Sequence, residues 1–172
     1  NHRLYNVAAA ICDGQLLALI PKTHMAGYGE FSETRYFAKG NIVAEKLLFE
    51  KDGEVEEIPF GTHILLQCET LNELVVGCEI GTEAEHVLAP SAFHCMAGAT
   101  VMVDLAAISA GVSKERKLDN LLEVTSRKLV CGYVLSGAGE GESTQDVVYS
   151  GHNLIIENGH ILKESSLLES GV

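Results

Sequence analysis

Apolar residues along this chain fall in short blocks punctuated by turn-forming residues, and the block from Glu73 to Gly81 dominates the pattern. It is an almost unbroken apolar run, short enough for a strand, and it stops at a glycine. Such a run suits a strand buried on both faces of a sheet. In α/β proteins the carboxyl end of a strand of this kind is where chemistry usually sits, and here that end is Gly81. Upstream, Leu4 to Ile11 and Gln15 to Ile20 flank Asp13-Gly14, a two-residue hairpin signal. Ala44 to Phe49 and Glu54 to Ile58 flank a second, Asp52-Gly53, and His63 to Glu69 reads as a further strand. Between the hairpins, Lys22 to Phe37 is a polar, aromatic, glycine-containing loop too long for a mere connection. Downstream of Gly81, the polar stretch Thr82 to His86 leads to Pro90 and Gly98, which bracket a short helix. Thr100 to Leu105 is a strand. Ser113 to Lys128 is a long helix, with Leu118, Leu121, Leu122 and Leu129 at helical spacing on one face. A strand begins at Tyr133 to Leu135, a glycine-rich loop covers Gly137 to Ser143, and Val147 to Tyr149 reads as a strand. Leu154 to Glu157 and Ile161 to Lys163 form a last hairpin around Asn158-Gly159. The order hairpin, loop, hairpin, βαβαβ, hairpin predicts an α/β fold with a mixed sheet, covered by helices on at least one face.

At 172 residues the chain is one domain or most of one, spanning 1–165, with a loose tail at 166–172. Its 24 acidic and 12 basic residues give a net charge of −12. That balance argues against nucleic acid or an anionic membrane surface as partner. The five cysteines, at 12, 68, 78, 95 and 131, form no CxxC pair and mostly sit in apolar runs, as buried reduced thiols do. The seven histidines are scattered without ligand spacing, so the sequence points to no metal site. No apolar run reaches the length of a membrane span and no signal-peptide pattern occurs, so a cytoplasmic location is expected. The chain opens at Asn1 directly into strand-like sequence, which suggests that the first part of a larger domain lies upstream.

Three stretches taken together carry more specific information. They are Ile20 to Phe31 with Glu33 and Arg35 behind it, Val76 to Gly81, and Gly137 to Asp146 followed by Gly151 to Gly159. In these stretches the chain resembles the nitrilase (carbon–nitrogen hydrolase) superfamily. Within it, the third stretch is most similar to the glutaminase domains of bacterial glutamine-dependent NAD synthetases. The resemblance covers about Leu4 to Ser165 and implies a nitrilase-like αββα sandwich, here truncated at its N-terminal part. It also implies a Glu–Lys–Cys triad, in which the cysteine attacks the side-chain amide of glutamine to form a thioester. The glutamate shuttles protons and the lysine helps hold the oxyanion. Ammonia then passes to a separate synthetase domain; ATP and magnesium belong to that domain, and no cofactor is expected in this one.

Carried over by position, the resemblance assigns the lysine to Lys22, a second active-site glutamate to Glu30 and a glutamine-contacting tyrosine to Tyr28. The nucleophile falls on Gly81, and the acidic pair after it becomes Thr82-Glu83. A serine-rich substrate segment becomes Ala106, Ala107 and Ile108, and a substrate-holding arginine becomes Lys114. The proton-shuttling glutamate belongs to the first part of the family domain and has no counterpart in these residues. Glutamine, an ammonia-accepting synthetase domain and other copies of the chain are the partners this resemblance implies.

Cys78 is the rival nucleophile, but it lies on the opposite strand parity from position 81 in an apolar run, where a thiol is inert. Cys95 reads as a packing residue. The loop at Gly137 lacks a following lysine, and Glu140 and Glu142 would repel phosphate, so it is a shaped loop and no phosphate cradle. Two readings stay open: part of a glutamine-hydrolysing NAD synthetase with a substituted nucleophile position, or a non-catalytic binding or assembly module.

Overall fold

The computed structural model describes residues 3–27, 32–51, 53–139, 141–142 and 146–168. The chain divides into two compact units, Asn1–Ile64 and Leu65–Val172.

The first unit holds a four-stranded sheet in the order β1-β2-β4-β3. Strands β1 (Val7–Cys12) and β2 (Gln15–Pro21) are antiparallel and joined through Asp13 and Gly14. Both turn residues have positive φ, 49° and 76°, as a two-residue turn between right-twisted strands requires. Strands β3 (Glu45–Lys51) and β4 (Glu54–Phe60) form the second expected hairpin, with Glu45 opposite Phe60 and Lys51 opposite Glu54. The hairpins meet in parallel where Leu19 pairs with Phe60. Ala8, Ala18, Ile20, Ile58 and Phe60 are buried, and the Tyr5 ring meets Phe60 edge-on at 5.1 Å. The expected loop at 22–37 contains one helical turn, α1 (Glu33–Tyr36). Four residues are too few for amphipathic spacing to register, and the turn is tied down instead by Glu33 N–H donating to Ala26 O at 2.9 Å.

The second unit is a six-stranded mixed sheet in the order β10-β9-β8-β7-β6-β5. At its centre, β6 (Val75–Ile80), β7 (Val101–Ala106) and β8 (Gly132–Gly137) run parallel. Helices α2 (Pro90–Met96) and α3 (Lys114–Leu129) cross between them, as the alternation of periods predicts. β9 (Leu154–Glu157) and β10 (His160–Glu164) add the final hairpin antiparallel to β8. Met102, Tyr133, Leu135, Leu154 and Ile156 point to one face of this sheet, and all are essentially fully buried. Leu122 of α3 joins that core, with Leu118 and Leu129 packed against it. Each such side chain contributes roughly 1.5–3 kcal/mol of burial.

Three expectations are corrected here. The strand expected over His63 to Glu69 shrinks to β5 (Leu66–Gln67). A turn takes the residues after it, with Cys68 N donating to Leu74 O and Leu74 N to Leu71 O, both at 2.9 Å. Val147 to Tyr149 forms only an isolated bridge, Ser109 opposite Tyr149, because its partner is the loop after β7. The polar stretch after Gly81 is a 3-10 helix, Gly81–Glu85.

Candidate functional site

Lys22 follows β2 directly, and its backbone is held on both sides. Its N–H donates to Asn6 O at 2.8 Å, and its carbonyl accepts from Gly40 N at 2.9 Å. The side chain is only 4% exposed, and Nζ donates to Glu33 Oε2 at 2.7 Å. The same carboxylate accepts Ala26 N at 2.8 Å and Asn6 Nδ2 at 3.1 Å. Burial alone would raise the Glu33 pKa. The bonds from Lys22 and Ala26, the Lys22 charge and the Asn6 amide outweigh it, and the net shift is downward. A lysine after an apolar strand is thus turned inward and paired, which is a geometry that can offer a fixed cation to a developing oxyanion.

Tyr28 and Glu30, assigned from the resemblance, lie outside the described residues. The carboxylate that the fold places on Lys22 is Glu33, present in the motif but given no role there. The one local signal for Glu33 is the helical turn that it opens. Asn6 was missed altogether, because it reaches Glu33 from the strand entry 27 residues away.

In the second unit, Gly81 stands at the carboxyl end of β6 with φ of 69° and opens the 3-10 helix. A strand that turns sharply into a helix through a residue of unusual backbone conformation is the setting in which α/β hydrolases display a nucleophile. Glu83, 2% exposed, returns its Oε2 to Ile80 N at 2.8 Å and satisfies a donor at the turn. Just before the turn, Glu79 is buried. Its Oε2 accepts Ser91 N at 2.9 Å, and Tyr133 O–H donates to its Oε1. Burial outweighs those bonds and raises the Glu79 pKa. Asp104 sits beside Glu79 in register on β7 and is also buried. Burial, followed by the charges of Asp104, Glu79 and Glu83, pushes the Cys78 thiol up to about 12. That is the environment of an inert cysteine.

The parallel register sets what lies next to Gly81. Ile80 pairs with Leu105 and Ala106 with Gly137, so the three strands end on one edge. On that edge Ser109 is buried and accepts Lys114 Nζ at 2.6 Å. Ile108 is partly buried and packs against the hydrophobic core, with its carbonyl taking Ser150 N at 3.3 Å. Gly137 donates its N–H to Asn153 Oδ1 at 2.9 Å. A Cβ on Gly137 would lie 2.3 Å from His152 O, so only glycine permits this approach. Lys22 belongs to the first unit, and Gly81, Ile108 and Lys114 to the second.

No protein-family model matches the chain. The glutamine-dependent NAD(+) synthetase of Mycobacterium tuberculosis is 36% identical over 173 residues, which cover 99% of this chain and 25% of that protein. The chain therefore spans about a quarter of the length of the curated relatives it matches. Among solved structures, a glutamine-dependent NAD(+) synthetase from Cytophaga hutchinsonii has a TM-score of 0.78 at 22% identity, over 96% of this chain and 25% of that one. Saccharomyces cerevisiae Nit3, a member of branch 10 of the nitrilase superfamily, has a TM-score of 0.68 at 15% identity, over 98% of this chain and 51% of that one. These two likenesses show the fold, a mixed α/β arrangement with two mixed sheets. With the sequence match to the mycobacterial protein, they show that the chain shares the fold of a nitrilase-superfamily member and is homologous to the glutaminase part of glutamine-dependent NAD(+) synthetase.

Proposed function

We propose that this chain belongs to the ammonia-supplying glutaminase domain of a glutamine-hydrolysing NAD(+) synthetase, and that Gly81 at the nucleophile position leaves it unable to hydrolyse glutamine. The observation that carries this reading is position 81 itself. It has the strand-end location and the positive φ of 69° that suit a displayed nucleophile, and it has no side chain. Thioester formation needs a thiolate attacking the amide carbon, with ammonia as leaving group. Glycine supplies no such atom, and the thiol of Cys78 is too basic and lies on the other strand parity.

In this reading Lys22, fixed by Glu33, is the cation for the amide oxyanion. Glu30 is the second active-site glutamate, Tyr28 contacts glutamine, and Ile108 and Lys114 belong to the substrate edge. The αββα layering, a synthetase domain that takes the ammonia using ATP and magnesium, and self-association of the chain belong to the same proposal.

The test is ammonia release from glutamine by these 172 residues, with Gly81→Cys alongside. The unaltered chain is expected to give no release above buffer. Gly81→Cys is expected to be alkylated by an electrophilic glutamine analogue, yet to turn over roughly 10²–10⁴-fold below a complete glutaminase for want of the proton-shuttling glutamate. Release by the unaltered chain that disappears in Lys22→Ala refutes the proposal.

A second reading, a non-catalytic binding module, is favoured by one observation: Lys22 is buried and paired with Glu33, while position 81 carries no side chain. Glutamine binding by calorimetry without turnover, weakened in Lys22→Ala, would support it.

A further inference from the structure

We propose that Asp119, His152 and Glu164 form a binding site for a divalent transition cation of the zinc class. The three come from α3, the segment leading into β9, and the end of β10. One ligand atom from each lies within 4.8 Å of the others. His152 is fully buried, with Nε2 2.6 Å from Asp119 Oδ1. Asp119 takes up Nε2, so Nδ1 is the ring nitrogen left to meet a ligand. Nδ1 has no hydrogen-bond partner and lies 3.9 Å from Glu164 Oε1, too far for a hydrogen bond. A buried ring nitrogen without a hydrogen bond therefore faces a carboxylate oxygen across a gap.

A cation fills that gap chemically. Zinc sits about 2.0–2.1 Å from an imidazole nitrogen and about 2.0–2.2 Å from a carboxylate oxygen, so tetrahedral ligands are about 3.4 Å apart. Closing 3.9 Å to that value asks for about 0.5 Å of movement. Glu164, 47% exposed, can make it, and its open side admits water as further ligands. Asp119 behind the ring reproduces the carboxylate–histidine–metal arrangement, which fixes the tautomer and strengthens the donor. The sequence pointed to no metal site because local ligand spacing is what it displays, and these residues belong to three separate elements. The site also has structural reach. Residues 151–153 hold the Gly137 loop through Asn153 Oδ1 and through Gly151 N donating to Ala138 O at 3.0 Å. A cation on His152 would stiffen the edge on which β8 ends.

The experiment titrates the chelator-treated full chain with zinc by calorimetry and with cobalt by visible absorption. Cys12→Ser/Cys68→Ser serves as background, to remove competing thiols. One equivalent is expected to bind, with cobalt d–d bands and no thiolate charge-transfer band. Asp119→Asn is expected to weaken binding about 10–100-fold, as loss of an orienting carboxylate does. Glu164→Gln, at a half-exposed site with little folding role, is expected to abolish it, as is His152→Gln. If His152→Gln does not fold, the other two variants decide. No binding by the parent, or binding unchanged in Glu164→Gln, overturns the proposal. So does a nitrogen spectrum showing Nδ1 protonated with zinc present, which would make the occupant a proton.

Discussion

Removing the carboxylate of Glu33 tests whether the Lys22 pair is a built charge site. Glu33→Ala strips three hydrogen bonds, from Lys22, Ala26 and Asn6, and leaves an ammonium 4% exposed without its partner. Breaking a buried pair on one side costs about 3–5 kcal/mol, because the remaining charge stays desolvated. For a chain of this size that lowers the melting temperature by roughly 6–20 °C. Replacing both partners by apolar residues of similar volume, Lys22→Met/Glu33→Leu, is expected to return stability to within about 1 kcal/mol of the parent or above it. The pH profile carries a second signature. Glu33 titrates below its ordinary 4.5 in the folded state. Its contribution is therefore complete above about pH 4.5 and lost as pH falls through the lowered folded value. Glu33→Gln should flatten that acid limb. Thermal and urea unfolding of the four proteins between pH 3 and 7 makes the measurement. A Glu33→Ala protein within 1 kcal/mol of the parent would refute the reasoning, since Lys22 would then be solvated. A double variant more stable than the parent would show that the pair is not maintained for stability, leaving function as its reason.

Two further outcomes follow from the geometry. Val130 closes α3 at φ of 55° with a side chain 74% exposed. Val130→Gly should relieve about 1–2 kcal/mol of left-handed strain against ~0.5–1 kcal/mol of added chain entropy, raising the melting temperature by a few degrees; a lower value would contradict the assignment. In thiol labelling at pH 8, Cys68, whose pKa is lowered mainly by the bond with the Thr70 hydroxyl, should react first. Cys78 should lag behind an ordinary thiol by about 10³-fold or more from thiolate fraction alone, and fast loss of Cys78 by peptide mass analysis would refute its placement.

The sequence displayed most clearly what depends on local pattern. The run Val75 to Ile80, the Pro90 start and the leucine face of α3 each mark an element without reference to anything distant. Leu122 is fully buried as that face requires. What it hid depends on partners far along the chain. Ser126 reads as an exposed polar residue on α3, yet it is buried and donates to Cys131 O at 2.6 Å, closing the helix end that Val130 strains. Glu33 is brought to Lys22 by a single helical turn too short to leave a periodic trace. The one-turn 3-10 helix after Gly81 leaves no periodic trace, although it decides where position 81 points its backbone.

That backbone explains why restoring a cysteine is a demanding substitution. Gly81→Cys puts a side chain on a residue at φ of 69°, at a cost of about 1–2 kcal/mol. It also puts a thiol beside Glu83, which is tied to the turn through Ile80 N. The same carboxylate, with Asp104 and Glu79, already raises the Cys78 thiol. A thiolate at 81 has to form against that negative field, which raises the pKa of its thiol. The expectation is that Gly81→Cys reacts slowly with a neutral alkylating reagent at pH 7. Gly81→Cys/Glu83→Gln, which keeps an acceptor for Ile80 N but removes the charge, should react on the order of tenfold faster. The rate is to be followed from pH 6 to 10 for both proteins. If the single variant is already fully ionised at pH 7 and Glu83→Gln changes nothing, the negative field does not govern position 81.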